Sequence, residues 1–170
     1  MRLHPSVVEL REMVIDGDPN KIYNIDLRYI TSRGKWYHIS WKGDENKSGG
    51  IATNIGIHFF DMLLWIFGAV KESRVETNSK SEVSGTLTLK QAEIKWQLSV
   101  DKNDLPLELS NKGVKTFRSL KIGNKEFEFS GGFEGLHTRS YEEILDGKGY
   151  GLNEVKNSIN LINKIKKVDI

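Results

Sequence analysis

The chain contains no cysteine, which excludes disulfides, thiol nucleophiles and Cys-based zinc sites together and suits a reducing compartment. Neither sign of charge dominates: 25 basic and 23 acidic residues leave a net charge of +2. No basic stripe is formed that would follow a nucleic-acid backbone. Lys164, Lys166 and Lys167 cluster, but near an expected helix C-terminus, where cations complement the dipole. Long hydrophobic runs are missing too. The longest, Phe59 to Val70, is interrupted by Asp61 and is expected to be too short to span a bilayer. Residues Met1 to Leu10 include Arg2, His4, Pro5 and Glu9 and do not read as a signal peptide. A phosphate-cradling glycine loop is also lacking. Gly131-Gly132 follows an expected strand without completing G-x-G-x-x-G, and Gly49-Gly50 follows no strand. These absences predict a cytoplasmic, soluble protein with no nucleic-acid or membrane partner and no Rossmann nucleotide-binding domain.

What is present is one domain's worth of chain. The 170 residues, 38% hydrophobic and 28% charged, suffice for a single domain, 1–170, with its own core. Pro5 opens a short helix over Ser6–Val14, because its missing amide donor is not needed in a first turn. Tyr23, Ile25, Leu27 and Tyr29 alternate with Asn24, Asp26 and Arg28, the mark of a strand with one buried face. A long loop from Ser32 to Gly50 mixes aromatic and charged residues, and the helix Ile51–Gly68 follows it. Further alternating runs cover Gly85–Lys90, Ala92–Val100, Lys115–Ile122 and Lys125–Ser130. Gly123-Asn124 forms a hairpin turn between the last two. Trp96, Phe127 and Phe129 read as sheet packing. Helices His137–Asp146 and Asn153–Lys167 close the chain. The expected fold class is therefore α+β, an open and mainly antiparallel β-sheet with helices on one face. Placing Ile94, Trp96 and Leu98 on the face away from the helices leaves a broad apolar surface. That surface predicts a homodimer or homotetramer joined through the sheet.

The chemistry concentrates on the helix that begins near Ile51. At about 100° per residue, Asn54, His58 and Asp61 fall in one narrow stripe, surrounded by apolar residues and glycine. Polar groups on a buried stripe must be satisfied or used. Three readings fit. His58 bonds Asp61 while Asn54 caps the helix; His58 and Asp61 share a divalent ion, for which no third ligand is evident; or His58 acts as a general acid/base oriented by its neighbours. In the preceding loop, Arg33 and Lys42 suit anionic groups, and Trp36, Tyr37 and Trp41 suit a sugar or a base. The alternatives are solvated charge and packing against another subunit. Gly43, next to Lys42, is expected to let the backbone approach a ligand. His137 and Tyr141 share one face of the penultimate helix and either line the same pocket or simply start that helix.

The stretch Gly49-Gly50-x-x-x-Asn54-x-Gly56-x-His58-x-x-Asp61, ending near Gly68, resembles the signature helix of the Gfo/Idh/MocA oxidoreductase family, and the resemblance covers essentially the whole chain. Within the family, Arg33-Gly34-x-Trp36-Tyr37 and Ser40-Trp41-Lys42-Gly43-Asp44, running into Lys47-Ser48-Gly49-Gly50, are similar to the UDP-N-acetylglucosaminuronate 3-dehydrogenases of lipopolysaccharide and O-antigen biosynthesis. Asn54 stands where the family more often has Asp, a departure that also fits this subgroup. The resemblance implies the dihydrodipicolinate-reductase-like C-terminal domain of a two-domain enzyme, and Arg2-Leu3-His4-Pro5 is similar to the point where the family chain leaves its nucleotide domain.

It further implies catalytic roles for His58, near the reacting hydroxyl, and for Asn54, four residues earlier. Lys42, Arg33, Trp36, Trp41, Asp61, His137 and Tyr141 are the expected substrate contacts, and no metal is implied. NAD(H) would serve the full-length protein without binding this chain alone. The Rossmann half, with a Glu-Lys-Pro lysine that usually shares the acid/base role, is the expected partner of this chain, and a UDP-sugar acid the expected substrate. The competing reading is a stand-alone binding or assembly module that keeps the fold without catalysis.

Overall fold

The computed structural model describes residues 1–128, 131 and 133–168. Phe129, Ser130 and Gly132, which carried part of the expected last strand and the glycine pair after it, lie outside the described residues. The chain runs through α1 (Pro5–Ile15), β1 (Tyr23–Thr31), the short helices α2 (Lys35–Ile39) and α3 (Glu45–Ser48), a π-helical turn (Ala52–Gly56) and α4 (Ile57–Phe67). Then come β2 (Val70–Asn78), β3 (Glu82–Leu89), β4 (Ala92–Ser99), α5 (Leu107–Asn111), β5 (Thr116–Ile122), β6 (Lys125–Glu128), α6 (Leu136–Leu145) and α7 (Leu152–Lys166).

The six strands form one sheet in the order β2-β3-β4-β1-β5-β6. Every neighbouring pair is antiparallel except β1 and β4, which run parallel. The sheet is thus mainly antiparallel, with its two centre strands as the exception. In that register Ile25 lies beside Ile94, Leu27 beside Trp96 and Tyr29 beside Leu98, so one face is apolar across the middle of the sheet.

Helix α4 lies on that face. Its rings meet the sheet at Tyr23–Phe67, Tyr29–Phe59 and Phe60–Trp96, with centroids 5.7, 5.0 and 5.1 Å apart. α1 and α7 flank α4 and bury Val7, Leu10 and Val14 on one side and Leu161, Ile162 and Ile165 on the other. Ile94, Trp96 and Leu98 therefore face the helices, not the solvent as expected from the sequence. The open face is polar. Lys95, Asp26, Lys121 and Glu126 cross it in one row, and Lys121 Nζ reaches Glu126 at 3.7 Å. The expectation of a broad uncovered apolar surface is corrected accordingly.

Residues Glu45–Phe67 make a helical stretch long and apolar enough to cross a membrane by length and composition. More than half of its most apolar part is buried inside the fold. It is the central core helix, and its apolar faces are spent on the sheet and on α1 and α7.

Candidate active site

The site begins where the central helix is irregular. The π-helical turn Ala52–Gly56 precedes the regular turns of α4. Such turns occur mostly as local insertions and frequently at functional positions. Gly56 sits where the helix presses on the sheet: a Cβ there would lie 2.6 Å from Leu98 Cδ1 and 3.0 Å from Phe60 Cε2. Close packing at Gly56 fixes this end of the helix against the sheet. Asn54, His58 and Asp61 all line the wall of an open cavity of about 570 Å³.

The same cavity is lined by Tyr29 of β1, Arg33 just after it, Arg118 of β5, Phe133, His137 of α6, Tyr150 and the opening residues Met1 to Leu3. Antiparallel pairing sets Arg118 beside Tyr29 on the helix-covered face. Its guanidinium lies 4.9 Å from the Tyr29 ring centre and 4.8 Å from that of Phe133, and it donates to the Tyr29 hydroxyl at 3.3 Å. Arg2, Arg33 and Arg118 thus converge on one cavity whose single carboxylate among the described residues is Asp61. Among the described lining residues basic side chains outnumber acidic ones, a lining compatible with an anionic ligand.

Asp61 is fully engaged. Arg2 Nε donates to Oδ2 at 2.8 Å, and Arg2 Nη2 donates to Oδ1 at 2.7 Å. Ser158 Oγ of α7 donates to the same Oδ1 at 2.8 Å. The His58–Asp61 bond of the purely structural reading is replaced by these contacts. Asn54 Nδ2 donates to the Lys42 carbonyl at 3.2 Å. It ties the loop to the helix, and the helix start carries no side-chain cap. His58 opens onto the cavity, yet burial by the surrounding protein holds its pKa below the usual histidine value. The Asp61 carboxylate opposes that fall. A neutral imidazole at neutral pH is the form able to accept a proton. No group of three or more His, Cys, Asp or Glu side chains able to hold a metal is found among the described residues.

The loop is more ordered than its composition suggested. It contains α2 and α3, and Asp44 caps α3 by accepting from the Asn46 amide at 3.0 Å. Tyr37 anchors the loop in the core at 3% exposure, while Trp36 and Trp41 are 48% and 59% exposed. Lys42 Nζ lies 6.0 Å from the Trp36 ring centre and 5.8 Å from that of Trp41. Arg33 approaches Trp36 at 6.0 Å, so this cluster adjoins the cavity on the Arg33 side. Of the residues expected at the site, Asn54, His58, Asp61, Arg33 and His137 come together in the cavity wall; Lys42, Trp36, Trp41 and Tyr141 do not line it. Gly43 also serves another purpose than expected. A Cβ there would stand 2.4 Å from the Tyr37 carbonyl oxygen, so the missing side chain permits packing within the loop, not approach to a ligand. Arg118, Arg2 and Tyr29 were not singled out by their sequence context.

Fold and cavity together give a sheet-backed pocket whose wall carries the polar stripe of an otherwise apolar helix. The family described as "Oxidoreductase family, C-terminal alpha/beta domain" matches residues 11–118, and the chain belongs to it. The chain is also similar to the WlbA (WbpB) dehydrogenase from Thermus thermophilus. It is 41% identical to the form solved in complex with NAD and alpha-ketoglutarate, with a TM-score of 0.94, over 99% of this chain and 54% of that one. With the same enzyme in complex with NAD and UDP-GlcNAcA the identity is 40% and the TM-score 0.94, over 99% and 54% of the two chains. The WlbA dehydrogenase from Bordetella pertussis, in complex with NADH and UDP-GlcNAcA, shares the fold at 16% identity and a TM-score of 0.73, over 96% of this chain and 59% of that one. This chain spans about half the length of the relatives that it matches.

Proposed function

We propose that this chain is the substrate-binding half of an NAD-dependent dehydrogenase that oxidises a nucleotide-sugar acid, UDP-N-acetylglucosaminuronate, at C3. The carrying observation is the cavity, in which a proton-accepting histidine and converging arginines share one wall system. It sits on a fold about two-fifths identical in sequence, across 99% of this chain, to a dehydrogenase solved with UDP-GlcNAcA. The ligand brings a carboxylate and a diphosphate, which the arginines can pair.

The chain's own residues handle the substrate and its proton. Arg118 and Arg33 bind the anionic groups, and Tyr29 cushions Arg118 from behind. His58 accepts the proton of the sugar hydroxyl while the carbon bearing that hydroxyl gives up its hydride, for which NAD on the nucleotide-binding half would be the acceptor. Asn54, tethered to the loop carbonyl at Lys42, sets the distance between loop and helix. The Trp36–Lys42–Trp41 cluster meets the outer part of the nucleotide, and His137 contributes to the cavity wall. Tyr141, exposed on α6, lies on the same side chain row as His137.

NAD does not fit this chain by itself. The sequence offers no glycine loop at a strand–helix junction to hold a pyrophosphate, so the cofactor belongs to a nucleotide-binding half. We further propose a cytoplasmic role in making lipopolysaccharide or O-antigen sugars, and self-association through the open sheet face. The alternating Lys95, Asp26, Lys121 and Glu126 row supports that mode, because a two-fold contact can set opposite charges against each other. Replacing His58 by Ala in the full-length protein is expected to lower kcat about 100-fold or more while the fold is retained. An unchanged kcat would remove His58 from the proton path.

A further inference from the structure

We infer that Arg2 and Asp61 act together as a positioning pair for His58, holding the helix turn next to it and balancing the carboxylate one turn away. The pair is buried, at 7% and 19% side-chain exposure. Both Asp61 oxygens are occupied, by the two Arg2 nitrogens and by Ser158. Arg2 Nη2 also donates to the Glu154 carbonyl at 3.2 Å, and its guanidinium lies 4.5 Å from the Tyr150 ring centre and 5.8 Å from that of Trp65. The opening segment, α4, α7 and the turn before α7 therefore meet at one carboxylate. Asp61 is one turn along α4 from His58, and the two line the same cavity.

A buried ion pair is a poor way to hold helices together, since apolar residues of similar size often do it as well or better. A pair fixed beside a titrating group does something that apolar residues cannot: it sets the charge that group feels. The charged and titratable side chains that line the cavity with His58 are Arg2 on the opening segment, Asp61 on its own helix, Tyr29 on β1 and Arg33 just after it, Arg118 on β5, His137 on α6 and Tyr150 before α7. Asp61 supplies the only negative charge among them. Removing it should favour neutral imidazole, and removing its arginine partner should favour imidazolium.

The test uses the His58 titration, followed by NMR in this chain and assigned with His58→Gln. It is paired with steady-state kinetics of the full-length protein. Asp61→Asn is expected to lower the His58 pKa and Arg2→Gln to raise it, each by roughly half a unit to one unit. Arg2→Lys keeps the charge but loses the two-pronged contact. It is expected to leave the His58 pKa in place and lower kcat about tenfold with little change in KM. If Asp61→Asn does not fold, the two Arg2 variants decide between a raised and an unmoved pKa. Shifts of the same sign in Asp61→Asn and Arg2→Gln, or no shift in either, would overturn the inference, as would an Arg2→Lys enzyme with full kcat. The kinetic arm rests on the dehydrogenase reading and the titration does not. Opposite shifts in a protein without turnover of UDP-GlcNAcA would count against that reading and leave the pair's action on His58 standing.

Discussion

Arg118→Gln is the substitution that most sharply separates an acid-reading cavity from a general sugar pocket. Arg118 comes from the sheet, not from the loop, and its guanidinium is held between Tyr29 and Phe133 at 4.9 and 4.8 Å. Two aromatic faces and the Tyr29 hydroxyl limit its rotamers, so little freedom remains to be lost when an anion binds. A charge-assisted hydrogen bond to such a group contributes about 1.5–3 kcal/mol, or roughly 10- to 100-fold in affinity. Glutamine keeps one amide donor and much of the length but no charge. In the full-length enzyme, KM for UDP-GlcNAcA is therefore expected to rise about 10- to 100-fold, with a far smaller change for neutral UDP-GlcNAc. Lys42→Ala, on a side chain that does not line the cavity, is expected to have the weaker effect of the two. Initial rates of NADH formation with both substrates give the comparison, and Tyr29→Phe, which keeps the ring, separates out the hydrogen bond from Arg118 to the Tyr29 hydroxyl. Equal losses on the acid and the neutral sugar would refute the assignment of Arg118 to the anion.

Two further outcomes follow from the same geometry. The isolated chain should bind NADH no more tightly than millimolar, because the pyrophosphate has no preformed cradle; micromolar binding by calorimetry would contradict this. Self-association through the open sheet face should weaken with salt, since exposed charge pairs are screened within about 10 Å at 0.1 M salt. A dimer or tetramer whose mass by light scattering is indifferent to salt, or is unchanged by Lys95→Glu, would place the contact elsewhere.

The central helix and most of the sheet were legible in the sequence because periodicity records which side of an element is dry. Asn54, His58 and Asp61 stood out as polar residues on an otherwise apolar stripe, and all three line the cavity. Periodicity says nothing about what lies opposite a face. Ile94, Trp96 and Leu98 were correctly grouped, yet the side covered by α4 follows from chain connectivity. The parallel pairing of β1 with β4 was equally hidden, since alternation fixes a strand's face and not its neighbour. β2, an edge strand of Val-Lys-Glu-Ser-Arg-Val-Glu-Thr-Asn, buries no residue fully and so carries no apolar alternation to read. Arg118 and Arg2 looked like ordinary cations. Their importance arises only when β5 returns beside β1 and the opening segment crosses α4. The loop drew attention through its tryptophans, whereas Arg118 reaches the same cavity only by pairing with Tyr29, 89 residues earlier in the chain.

Turnover tests the central claim most directly. The full-length protein, supplied with NAD and UDP-GlcNAcA, is expected to form NADH together with a product oxidised at C3. The His58→Gln variant, folded by circular dichroism, should be slower by about 100-fold or more. Efficient oxidation of UDP-GlcNAc with no activity on UDP-GlcNAcA, or full activity in His58→Gln, would contradict the account.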